Sequence, residues 1–119
     1  MELIIGGAYQ GKREYAVTTH HLTEADISVC TLESPPDRSC RCIDRLEEYV
    51  LYCVQNGFTP DPEFRSDAVL ICREIFSGVV PIDPEIRLWR EETGRFLAVL
   101  SRRADHVTRL FCGIPQVIK

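Results

Sequence analysis

Lysine is almost missing from this chain: Lys12 and Lys119 stand against twelve arginines. Acidic side chains outnumber basic ones, 18 to 14, and the formal net charge is −4. That balance excludes the diffuse positive field on which non-specific nucleic-acid binding depends. No block of like charges forms a tail. Long apolar runs are lacking too; none approaches the roughly 20 residues that cross a bilayer, so no membrane span is expected. The first residues read as a core strand, not as a charged stretch followed by a signal-peptide apolar segment, and a cytoplasmic location is the expectation. What remains is ordinary for a globular protein: 119 residues, 45% apolar and 27% charged. Such a chain supports one domain, 1–119, with a sizeable core and no room for a second.

Cysteine is not scarce. Six occur, at 30, 40, 42, 53, 72 and 112. Most lie inside apolar stretches, where a free thiol behaves as a small hydrophobe, and reduced thiols suit the expected compartment. Cys40 and Cys42 could be drawn into a zinc site with Cys30, His20 or His21, but the second close pair that makes such sites convincing is absent.

The most informative segment is Glu2–Arg13. A short apolar strand, Leu3–Ile5, runs into Gly6; four residues follow; then Gly11-Lys12 opens a helix to about Thr19. The pattern is G-x-x-x-x-G-K-[ST] with Arg13 in the final position. Glycines at 6, 7 and 11 let main-chain N–H groups turn inward at a helix N-terminus, where the dipole also favours an anion. The nucleotide-contacting candidates are therefore Gly6, Gly7, Ala8, Tyr9, Gln10, Gly11, Lys12 and Arg13, with Lys12 reaching the outer phosphates of ATP or GTP. A Ser or Thr in the last position would ligate Mg²⁺; Arg13, a donor-only cation, cannot.

Further along, Ile27–Cys30 reads as a short strand and Ser34–Asp37 as a loop. Ile43, Leu46, Tyr49, Val50 and Cys53 have helical spacing, which predicts a helix from Cys40 to Asn56 stopped by Gly57, with Asp44 in its first turn. Ala68–Cys72 reads as a central parallel strand, and the stretch to Pro81 as a loop at its end. Asp83-Pro84 is a cap and first-turn proline for a long helix ending near Arg102-Arg103. Gly94 within it costs about 1 kcal/mol relative to Ala, so a close contact or a kink is expected there. Val107–Cys112 and Pro115–Ile118 form a terminal hairpin. The alternation predicts an α/β fold of the P-loop NTPase-like kind: a three-layer sandwich, mainly parallel, with an antiparallel C-terminal edge strand. Ligands of such sheets sit beyond the carboxyl ends of the strands.

Two stretches together carry a family likeness. One is the Gly-Gly-Ala-x-x-Gly-Lys loop. The other is the C-terminal half: Glu74-Ile75-x-x-Gly78-Val79-Val80-Pro81, then Arg87-x-x-Arg90-Glu91-x-x-Gly94-Arg95, Ala104-Asp105-x-Val107 and Gly113-Ile114-Pro115. The chain resembles the bifunctional adenosylcobinamide kinase/adenosylcobinamide-phosphate guanylyltransferase family of cobalamin biosynthesis. The resemblance implies an ATP- or GTP-dependent phosphorylation of the aminopropanol hydroxyl of cobinamide. It implies catalytic roles for Lys12 and Glu74, nucleotide contacts from Arg87 and Arg90, and Mg²⁺ held by Glu74 and Asp44. It also extends to this chain the homo-oligomeric state of the longer proteins. The segment bearing the family's guanylylated histidine is missing, so loss of guanylyl transfer is expected. Arg13 leaves two enzymological readings: a reduced kinase, or a catalytically degenerate protein that senses nucleotide or cobinamide.

Overall fold

The computed structural model describes residues 1–75 and 82–119. The elements run β1 (Glu2–Gly6), α1 (Lys12–His20), a turn of 3-10 helix at Glu24–Asp26, β2 (Ile27–Val29), β3 (Cys42–Asp44), α2 (Leu46–Asn56), β4 (Val69–Arg73), α3 (Pro84–Arg103), β5 (His106–Phe111) and β6 (Ile114–Val117). They form a compact α/β unit with one six-stranded sheet ordered β2-β3-β4-β1-β5-β6. Every neighbouring pair is parallel except β5 and β6. The expected antiparallel edge is therefore present.

Strand alternation divides the interior into two cores. Leu3, Ile43, Leu70, Cys72 and Val107 meet α2 and α3 through Leu46, Val50, Phe96 and Leu100. Ile4, Cys42, Val69, Ile71 and Leu110 face the other way, against Ala16 of α1. Helices thus cover both faces, and β1, flanked by β4 and β5, is buried on each side. A fully buried Leu or Ile contributes about 1.5–3 kcal/mol, so this central strand anchors the domain.

The expected helix from Cys40 is corrected. Cys42 and Ile43 alternate between the two cores as β3, pairing with β2 and β4. Arg45 then takes a left-handed conformation (φ 56°, ψ 50°) and the helix begins at Leu46. A three-residue strand followed at once by a helix keeps apolar residues at spacings that read as one helix. Asp44 accordingly ends a strand and does not occupy a helical first turn. The Gly57 stop is as expected, with φ 71°. So is the start of α3, where Asp83 accepts from the Glu85 and Ile86 amides.

The close contact expected at Gly94 is absent: a Cβ built there meets nothing within 4 Å. Gly94→Ala should therefore stabilise the protein by about 0.5–1 kcal/mol, read as a rise in the denaturant midpoint at unchanged slope.

At the hairpin edge, Cys112 and Gly113 both have positive φ (52° and 75°), as a two-residue turn demands. Phe111 and Ile114 flank that turn as partners, so Pro115 at the next position directs its nitrogen away from β5. Proline there removes an outward donor from the open edge. No helix among the described residues is long and apolar enough to cross a membrane.

Cys30, Cys42, Cys53 and Cys72 are buried, Cys40 is intermediate and Cys112 exposed, all as free thiols. Burial, reinforced by neighbouring carboxylates, pushes the Cys30 and Cys42 thiols up to about 12, and Cys72 is raised too. A raised thiol supplies little thiolate, the reactive form. In native protein at pH 8, Cys112 should consume Ellman's reagent first, with the four buried thiols reacting only on unfolding. Four or more fast equivalents without denaturant would contradict this packing.

Candidate functional site

At the carboxyl end of β1 the chain must turn sharply under a neighbouring strand. A Cβ on Gly6 would lie 2.7 Å from the Leu110 carbonyl oxygen of β5, so only glycine fits without displacing backbone. The Gly6 carbonyl accepts from the Glu74 amide (2.8 Å), tying the loop's root to the end of β4 as well. Gly11, at φ 84°, supplies the left-handed residue that starts α1. Gly7 faces only the Gln10 side chain, with 3.7 Å to spare, and its glycine is less constrained.

The loop between these points is braced from outside. Gly113 in the β5–β6 turn donates to the Gln10 carbonyl (3.2 Å), and the Cys112 amide donates to the Gln10 side-chain oxygen. Inside it, Lys12 folds back so that Nζ donates to the Gly7 carbonyl (2.6 Å). Burial lowers the Lys12 pKa, while Glu47 and Asp44 nearby oppose that shift. The loop makes a hydrogen-bonded turn at Ala8–Tyr9, and the N-terminus of α1 follows at Lys12. The first amides of a helix have no partner within it and readily take anions.

A cleft of about 620 Å³ opens over the loop. Its walls include Lys12, Arg13, Asp44, Arg45, Glu47 and Arg73. Arg13 Nη1 lies 3.2 Å from Asp44 Oδ2, and its second nitrogen lies 3.3 Å from Glu24. The other Asp44 oxygen accepts from the Arg45 amide (2.7 Å). Glu47 is buried, and its carboxylate accepts from the Arg73 amide (2.9 Å) while its carbonyl accepts from Trp89 Nε1 (2.8 Å). A second cleft, of about 570 Å³, shares Tyr9, Gly11 and Glu14 with the first and continues along Tyr15, Thr18 and Thr19 of α1.

The loop residues Ala8 to Arg13 and the strand-end Asp44 are brought together in the first cleft. Glu74, Arg87 and Arg90 are not among its described walls. Glu74 instead accepts from Nε and Nη2 of Arg109 on β5, at 3.0 and 3.2 Å. The remainder of the loop expected after Glu74, with Gly78–Pro81, lies outside the described residues. His20, at the opposite end of the sheet, pairs with Glu2.

Three cleft residues escape a reading of the sequence for motifs: Glu47, Arg45 and Arg73. For Glu47 the signal was present. It lies four residues after Ile43 and three before Val50, an acid on the apolar stripe. Arg45 and Arg73 carry no such mark, because both are placed by β-strand ends whose adjacency is a matter of topology.

The hydroxyl position of the loop holds Arg13, Asp44 is already paired with that same guanidinium, and Glu74 is held by Arg109. Among the described residues, no group of three or more His, Cys, Asp or Glu side chains could hold a metal ion. No protein-family model matches the chain, and no curated protein is significantly similar to it.

Asp44 is nearly buried, so its partner matters. Removing the guanidinium in Arg13→Gln should destabilise the fold by about 1–3 kcal/mol, since it leaves a desolvated carboxylate short of a partner. Adding Asp44→Asn should recover part of that loss, measured as a coupling energy in a double-mutant cycle by urea unfolding.

Proposed function

We propose that this chain is a nucleotide-binding protein of the P-loop kind, holding the phosphates of ATP or GTP on the Gly6–Lys12 loop without turning them over. The observation that carries this reading is the loop itself. It leads into the N-terminus of α1, Lys12 is folded over it, and it stands at the carboxyl edge of a mainly parallel sheet. Tyr9 and Tyr15 line the adjoining cleft, and an aromatic ring there could stack on a base. The resemblance to adenosylcobinamide kinases names the class of partner that a binding protein of this descent would sense, a cobinamide-type corrinoid.

Arg13 is why binding is favoured over catalysis. Phosphoryl transfer relies on a metal ion bridging the outer phosphates, and the guanidinium stands where the metal's hydroxyl ligand would be. One observation favours the competing kinase reading: Asp44 ends a strand beside Lys12, where a transferase would need a carboxylate. Isothermal titration with ATP and GTP should show saturable binding that Lys12→Ala weakens at least tenfold. Incubation with Mg²⁺–ATP and cobinamide should yield no phosphorylated corrinoid. Product formation would favour the kinase; no heat at millimolar nucleotide would remove both readings.

A further inference from the structure

The first cleft is a mixed-charge site, lined by Lys12, Arg13, Arg45 and Arg73 together with Glu14, Asp44, Glu47 and Glu48. Arg13 is committed to Asp44 and Glu24. Arg45 and Arg73 also line the cleft, and among the described residues neither guanidinium has a hydrogen-bond or ion-pair partner. The two arrive from different strands: Arg73 ends β4, in register with Gly6 of β1, and Arg45 follows β3. Arg73 is close enough to Lys12 for its charge to oppose the ammonium. Two cations facing one cavity repel each other, and an anion between them relieves that repulsion.

Arg45 adds a second, independent point. Its backbone is left-handed at φ 56°, a conformation that a long side chain enters at a cost and that glycine would adopt freely. The main-chain turn does not need an arginine, and among the described residues its guanidinium has no hydrogen-bond or ion-pair partner. Arg45 nevertheless lines the cleft.

We infer that this site takes a metal-free triphosphate, with Arg45 and Arg73 supplying the neutralising charge that a divalent cation brings to other nucleotide sites. This rests on the binding function proposed above and makes it more specific. The ligand's phosphates occupy the loop amides and Lys12, while the two guanidiniums meet the outer phosphate oxygens with bidentate geometry. Mg²⁺ on the nucleotide would be a disadvantage, because Arg45 and Arg73 would face a partly neutralised tail.

The test is titration of the full chain with ATP, and separately with inorganic tripolyphosphate, in EDTA and in excess Mg²⁺. Wild type should bind metal-free ATP at least as tightly as Mg²⁺–ATP. Arg45→Gly, which suits the existing backbone conformation, combined with Arg73→Gln should weaken metal-free binding by tenfold or more while the thermal midpoint holds. Tripolyphosphate should show the same arginine dependence, because the shared chemistry is the phosphate chain; binding of ATP alone would overturn the assignment of the arginines to phosphate. A tenfold gain in affinity on adding Mg²⁺, or double-variant binding in EDTA within twofold of wild type, overturns this inference but leaves the nucleotide site standing. Absence of ATP binding in both buffers overturns the two together.

Discussion

The burial of β1 on both faces governs the rest of the architecture. Leu3 and Ile4 enter different cores on successive residues, and the strand is paired on each side by a parallel neighbour. A strand so confined must leave the sheet through its end, under the backbone of β5. Only a residue without a Cβ passes there, which is why the chain turns at Gly6. The loop's position follows from packing at the centre of the molecule, not from any interaction the loop makes itself.

Much of this was legible before any coordinates. Short apolar runs, an N-cap aspartate with its proline, and a glycine stop marked five of the six strands and the three helices, although the second helix begins six residues later than expected. The miss at Cys42–Asp44 has a local cause. A strand of three residues has no room to show a two-residue period, and Arg45 offers none of the glycine or asparagine signals that mark a left-handed turn. That miss moved Asp44 from a helix onto a strand end, which is where the site's chemistry changes most.

The cleft was only half legible. Its glycines and lysine are a matter of spacing along one segment, whereas Arg45, Glu47 and Arg73 converge from the ends of β3 and β4 and the start of α2, brought together by the order of the sheet. Glu74 shows the reverse error: its position at a strand end was foreseen, but its partner was not, because Arg109 lies two strands away across β1. Pairing across an intervening strand leaves no trace in linear spacing.

The bracing of Gln10 by the Cys112–Gly113 turn links the two extremities of the chain. The last strand is exposed along its whole length and joins the sheet on one side only. A protease trimming the final few residues would therefore act on more than a dispensable tail. By releasing the hairpin it would withdraw the outer support of a loop more than a hundred positions upstream, so that damage at one terminus is felt as slackness near the other.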